Sequence, residues 1–146
     1  MDHWHRPELH WHCYTWVGSK RPEDIERRPP EPQNGRRPAW NSPTPPLEVM
    51  HWLAKTAAHI KLTTDDPADA LTWLGRQLAD APALDTDLAP DQRQAHARDF
   101  LTTYPHDVMW TYWTPARQLR CIAAVSCPRT HNPTSEPPPP CPLRRG

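Results

Sequence analysis

The chain has 146 residues, of which 36% are hydrophobic, and its formal net charge is zero. This length predicts a single domain, and the balanced charge argues against a strongly basic nucleic-acid-binding protein. Proline accounts for 21 residues and glycine for only 4. Because the few glycines form no Gly-rich phosphate loop, we expect no nucleotide-binding site. No cofactor is predicted. No apolar run approaches the ~20 residues that a membrane-spanning helix needs.

The first structural signal is an alternating pattern in residues 8–17, which predicts a β-strand. We assign residues 1–18 to this N-terminal strand and expect Leu9, Trp11 and Cys13 to face the core. The even-numbered residues point to the opposite side of the strand and are expected to face water; they are His10, His12, Tyr14 and Trp16.

Residues 19–46 are rich in proline and are expected to form an extended loop, with Trp40 as a candidate anchor. Helical spacing then predicts a first helix within residues 47–60, a second with Asp66 as its N-cap, and a third that starts near Pro90. The inner faces are predicted to hold Leu71, Leu74 and Leu78 in the second helix, and Ala97, Phe100, Leu101 and Tyr104 in the third.

Alternation returns in residues 107–113 and 119–127, which a short turn separates, and this pattern predicts a β-hairpin. Residues 47–127 therefore form one domain together with the first strand, and residues 128–146 are expected to be a disordered Pro-rich tail. The predicted fold class is α+β, with the N-terminal strand paired to an edge of the hairpin in a small antiparallel sheet. About three helices are expected on one face of that sheet.

Histidine provides the main candidate site, because four of the 9 histidines lie in the first twelve residues. Residues two apart on a strand point to the same side, so His10 and His12 can bind one metal ion, with a further ligand from His3, His5 or Glu8. His3 can also hold Cu(II) or Ni(II) together with the amino terminus and two backbone amides. The predicted metal ligands are His3, His10 and His12, and the alternative is a solvent-facing histidine pair without metal.

The four cysteines are expected to be reduced, since no signal segment is recognised and the protein is expected to be cytoplasmic. A zinc set of Cys121, Cys127, His131 and Cys141 is disfavoured because it lacks a closely spaced first pair. Cys121 and Cys127 would also lie roughly 20 Å apart along one strand. We expect buried, unreactive thiols, and no catalytic residue, because no nucleophile motif is present.

Arginine outnumbers lysine 14 to 3, and phenylalanine occurs once, a bias that indicates a gene of a high-GC actinomycete. In its length, its Pro-, Arg- and Trp-rich composition and its lack of enzyme motifs, the chain resembles small accessory proteins of actinomycete conjugative plasmids, in particular plasmid spread proteins. The resemblance implies a non-enzymatic interaction protein involved in plasmid transfer and spread, whose partners are other proteins such as the transfer proteins of the same element.

Two alternatives to this function remain open. The first is a small DNA-binding regulator, which the Arg doublets at residues 27–28 and 36–37 favour, although the acids near Asp66 would repel phosphates from the second helix. The second is a metal-binding protein built on the histidines.

Overall fold

The structure, a computed structural model, describes residues 8–84, 89–129 and 137–144. Its centre is a four-stranded antiparallel sheet in the order β2-β1-β4-β3. The strands are β1 (His10–Gly18), β2 (Leu62–Thr64), β3 (Val108–Trp113) and β4 (Leu119–Cys127), and the α-helices are α1 (Pro67–Asp80) and α2 (Pro90–Thr102). The predicted α+β class is confirmed.

The strand pairing follows the sequence pattern closely. β3 and β4 form the predicted hairpin, and β1 pairs with β4 along its whole length, from His10 opposite Cys127 to Gly18 opposite Leu119. β2 has only three residues, too few to display a period, and it was not predicted. It adds the fourth strand at the free edge of β1.

The two α-helices cover one face of the sheet. Asp66 caps α1 as predicted, because its carboxylate accepts a hydrogen bond of 2.9 Å from the Ala68 amide. The core on this face contains Trp11, Cys13, Leu74, Leu78, Ala97 and Leu101. The inner face predicted for α2 is wrong in part, since Phe100 and Tyr104 are exposed. In α2 the buried side follows the i, i+4 series of Arg93, Ala97 and Leu101 instead.

The second face of the sheet is also covered, which corrects the expectation that the even-numbered residues of β1 face water. His12 and Tyr14 are fully buried. Residues 47–60, predicted as one helix, form two short 3₁₀ helices, Val49–Ala54 and Ala57–His59, and the first of these packs on this face. The Trp52 ring stacks on Tyr14 with ring centroids 4.7 Å apart, so the histidine side of β1 belongs to a second core.

The Pro-rich loop has local structure of its own. Trp40 is buried, as predicted for an anchor, and pairs with Lys55 in an isolated β-bridge. Asp24–Arg27 forms a 3₁₀ helix, and Gln33 and Arg36 close a tight turn through two backbone hydrogen bonds of 2.6 and 3.0 Å. The loop is therefore held against the second core rather than fully extended.

The prediction of a disordered tail needs correction where the structure describes residues 137–144. Cys141 is 6% exposed and belongs to the second core, and a 3₁₀ helix, Pro142–Arg144, follows it. The remainder of the predicted tail includes residues 130–136 and 145–146, which lie outside the described residues. The described C-terminal segment thus returns to the face of the sheet that carries His10 and His12.

Candidate metal centre

Four potential metal ligands meet at one end of the β1–β4 pair. They are His10, His12, Cys127 and Cys141, and their ligand atoms all lie within 4.8 Å of one another. His10 is half-buried and the other three side chains are buried. This set combines two imidazoles with two thiols, which is one of the common ligand sets of structural zinc sites.

The strand register places three of the four ligands. His10 and His12 are two residues apart on β1, so their side chains leave the same face of the sheet. Cys127, the last residue of β4, lies directly opposite His10 in the antiparallel ladder. Directly opposed residues share a face and have Cβ atoms only ~4.5–5.5 Å apart, so the pairing alone brings a thiol to the two imidazoles.

Cys141 completes the cluster from the C-terminal segment. Its Sγ lies 3.5 Å from His12 Nε2 and 3.7 Å from His10 Nε2, and the two Nε2 atoms are 3.1 Å apart. A tetrahedral zinc ion with Zn–N of about 2.05 Å and Zn–S of about 2.3 Å separates two nitrogens by about 3.3 Å and a nitrogen from a sulfur by about 3.6 Å. The three observed separations therefore fit three edges of a zinc tetrahedron.

Hydrogen bonds to the outer ring nitrogens orient both imidazoles. His10 Nδ1 donates to the Glu8 carbonyl oxygen at 2.6 Å, which leaves the Nε2 lone pair directed into the cluster. His12 Nδ1 lies 2.8 Å from the Thr63 hydroxyl on β2, the residue paired with it across the sheet. When Nδ1 donates to this hydroxyl, Nε2 is the free ligand atom. Such partners fix the tautomer and the ring orientation of metal-binding histidines.

Burial keeps His12 in the protonation state that a metal ligand requires. The pKa of His12 falls from 6.5 to about 4, chiefly because burial disfavours the imidazolium and also because His10 is adjacent. The ring is therefore neutral at physiological pH, with a lone pair available. In contrast, burial raises the pKa of Cys13 to about 12 and that of Cys121 to about 11, so these two thiols remain protonated.

The structure shows which of the histidines and cysteines considered in the sequence analysis lie in the cluster. His10 and His12 lie next to each other, whereas His3 lies outside the described residues, and metal binding by these histidines stays a prediction. Cys127 and Cys141 are further candidate ligands in this cluster, which the sequence analysis assigned as unreactive thiols. All four cysteines are buried, as expected, but Cys13 packs on the helix-covered face and Cys121 lies farther along β4 from the cluster.

The sequence analysis considered Cys127 and Cys141 only in a set with Cys121 and His131, and it disfavoured that set because a closely spaced first pair is missing. His131 also lies outside the described residues. The useful signal was the equal parity of His10 and His12 on one strand, combined with a cysteine at the end of the strand that pairs with it. That combination becomes visible only when the strand order and the register are known.

In comparisons with known proteins, no family model, no curated protein and no solved structure matches this chain. The helices of the described residues include none that is long and apolar enough to cross a membrane.

Proposed function

We propose that this chain is a zinc-stabilised, non-enzymatic accessory protein that acts through contacts with partners. The observation that carries the proposal is the convergence of His10, His12, Cys127 and Cys141, whose ligand atoms lie within 4.8 Å of one another. Oriented imidazoles and three separations near those of a tetrahedron, among His10, His12 and Cys141, support an ion at the centre of the cluster.

The donor set favours zinc over other ions. A tetrahedral set of two sulfurs and two nitrogens suits zinc or an iron–sulfur cluster, whereas carboxylate-rich octahedral sites suit magnesium, calcium and manganese. Four ligand atoms within 4.8 Å enclose a single ion rather than a cluster of metal and sulfide. Because the protein fills all four positions, no site remains for water or substrate, which is typical of structural zinc and supports a non-catalytic role.

Zinc at this position links parts of the chain that are distant in sequence. It joins the start of β1, the end of β4 and the C-terminal segment around Cys141. The free energy of binding to such a site contributes directly to folding, because the unfolded chain has no preformed site. The centre thus supplies stability to a domain with few hydrophobic residues.

The resemblance described above supports a partner class for this accessory protein. It implies contacts with the transfer proteins of a conjugative element and a role in plasmid transfer and spread. Affinity capture with the intact chain, from cells that carry the whole element, is expected to return such a transfer protein, and capture without any partner would contradict this part of the proposal. The DNA-binding alternative is not proposed, because the 3₁₀ helices in residues 47–60 offer no first α-helix for a helix-turn-helix.

Metal content tests the zinc proposal directly. The untagged protein is purified under reducing conditions from cells grown with added zinc, and its metal content is measured by inductively coupled plasma mass spectrometry. We expect one zinc ion per chain. Cys141→Ser is expected to lose the bound zinc. Replacement of zinc with Co(II) is expected to give the intense visible absorption of a tetrahedral site with thiolate ligands.

The matched control is Cys121→Ala, which removes a buried cysteine outside the cluster and is expected to retain one zinc ion. Circular dichroism of both variants verifies that the fold persists. Wild-type protein that binds no zinc, or equal zinc content in Cys141→Ser and Cys121→Ala, would refute the proposed centre.

A further inference from the structure

A cavity of about 600 Å³ lies between the Pro-rich loop and the C-terminal segment. A second cavity of about 460 Å³ adjoins it and shares Pro32, Arg37 and Pro137 with it. Sites for small molecules typically have volumes of about 300–1,000 Å³. The larger cavity is therefore of the size that a small organic ligand occupies.

The walls of the larger cavity are apolar and stiff. Six of its lining residues are prolines, which come from both sides, at Pro32 and Pro38 in the loop and at residues 137–140 in the C-terminal segment. Proline rings have a fixed backbone φ and lose little conformational entropy when a ligand binds. Proline-rich segments and aromatic rings also recognise each other in protein complexes.

Two arginines, Arg36 and Arg37, give this cavity a cationic side. Arg36 lies in a tight turn, in which Asn34 and Gly35 have positive φ values of 54° and 76° and the backbones of Gln33 and Arg36 exchange two hydrogen bonds. Arg37 is held by a hydrogen bond of 2.8 Å from Nη1 to the Pro30 carbonyl oxygen. Among the described residues that line this cavity, none is acidic.

We propose that this cavity binds a small aromatic anion, with its ring between the proline walls and its carboxylate or phosphate at Arg36 and Arg37. Guanidinium groups match the geometry of carboxylate and phosphate oxygens. The proline rings offer flat apolar surfaces to an aromatic ring. The proline walls alone or the arginines alone would not select an aromatic anion, but this cavity has both.

The proposed zinc centre regulates this site, a step that depends on the function proposed above. The wall at residues 137–140 ends immediately before Cys141, a proposed zinc ligand. Zinc that holds Cys141 against β1 and β4 therefore also holds this wall against the loop. Ligand and zinc are then expected to bind cooperatively, because each stabilises the same position of the C-terminal segment.

The probe for the test is 1-naphthyl phosphate, with inorganic phosphate as its control for the charge alone. Isothermal titration of the zinc-loaded full chain is expected to give a dissociation constant below about 1 mM for 1-naphthyl phosphate, and at least tenfold weaker binding of inorganic phosphate. Arg36→Gln is expected to weaken binding of the probe about fivefold or more. Arg98→Gln changes an exposed arginine on α2, outside the cavity, and is expected to leave the affinity unchanged.

The coupling is tested with the same probe on metal-free wild type and on Cys141→Ser, where its affinity is expected to fall about fivefold or more. Equal affinities in Arg36→Gln and Arg98→Gln, or equal affinities for 1-naphthyl phosphate and inorganic phosphate, would overturn the aromatic-anion site while zinc content still supports the metal centre. Binding that depends on Arg36 and is equally tight in zinc-loaded and metal-free wild type would support the site and overturn the coupling, whereas the zinc content of the purified protein decides the metal centre separately.

Discussion

His10 lies directly opposite Cys127 in the antiparallel ladder of β1 and β4. The pair belongs to a register that continues without interruption to Gly18 opposite Leu119. A shift of one residue would turn every side chain of β1 to the other face, and His10 and His12 would then point to the helix-covered core. The proposed metal centre therefore depends on the same register that forms the two cores, and the sheet fixes the positions of His10, His12 and Cys127.

Zinc removal is expected to destabilise the protein. Because only the folded chain presents the four ligands, free zinc at 100 times its dissociation constant adds about 2.7 kcal/mol to the free energy of unfolding. Thermal unfolding of zinc-loaded wild type, followed by circular dichroism with and without EDTA, should show a lower melting temperature after chelation.

Cys141→Ser supplies the reference for this measurement. Its melting temperature is expected to respond little to EDTA, since one of the four ligands is missing. An EDTA-induced change of the same size in this variant would indicate that the stabilising ion binds elsewhere.

Thr63→Val is expected to weaken zinc binding although Thr63 touches no metal. Its hydroxyl lies 2.8 Å from His12 Nδ1 and orients the ring. Loss of such an outer hydrogen bond typically lowers metal affinity about 10–100-fold. Competition with a chromogenic zinc chelator measures the change.

Thr72→Val is the control for that substitution, because it replaces an exposed threonine on α1 with the same side chain. Its zinc affinity should equal that of the wild type. If Thr63→Val and Thr72→Val bind zinc equally well, the Thr63 hydroxyl does not position His12.

Periodic patterns made most of the regular elements predictable from sequence. β1, β3 and β4 alternate over six or more residues, and α1 combines a leucine series with an Asp66 cap. The secondary structure of residues 47–60 was harder to predict, because five consecutive residues are buried: Met50, His51, Trp52, Leu53 and Ala54. A fully buried 3₁₀ segment has no polar face, so its pattern cannot distinguish it from a buried α-helix.

Only half of the candidate site, His10 and His12, was predictable from the sequence. The spacing of His10 and His12 is a local feature that a strand converts into a shared face. Cys127 and Cys141 join them through strand order and through the return of the C-terminal segment. These are long-range contacts, and no local spacing of residues encodes them.

Trp11→Ala is expected to cost about 3–5 kcal/mol of unfolding free energy, as for other large buried aromatics. Trp11 is 3% exposed in the helix-covered core, and its indole Nε1 donates to the His106 carbonyl oxygen at 2.8 Å. Trp113→Ala, at a position that is 36% exposed, should cost much less. Urea unfolding of both variants measures the difference, and equal costs would show that Trp11 is not a centre of this core.

The Lys55 side chain is fully buried, and its amino group lies between two tryptophan rings. Its Nζ lies 3.6 Å from the centroid of the Trp40 ring and 5.4 Å from that of Trp52, and it donates to the Ser42 carbonyl oxygen. Burial lowers the pKa of Lys55 from 10.5 to about 7. The unfolded chain therefore binds more protons than the folded chain between about pH 7 and 10.5, and this residue makes the protein more stable as the pH rises through that window.

The free energy of unfolding of wild type is compared with that of Lys55→Met at each pH. The difference, wild type minus variant, is expected to increase between pH 7 and 9, by at most about 1.4 kcal/mol per pH unit. The buried thiols of Cys13 and Cys121, whose pKa values are raised, act in the opposite direction because the unfolded thiols lose protons first. Both proteins contain these cysteines, so the subtraction removes the contribution of Cys13, and it removes that of Cys121 apart from the lowering of its pKa by the nearby Lys55 charge. Urea unfolding at several pH values gives the difference, and a value that stays constant from pH 7 to 9 would show that Lys55 keeps its proton in the folded state, held by the Trp40 ring and the Ser42 carbonyl oxygen.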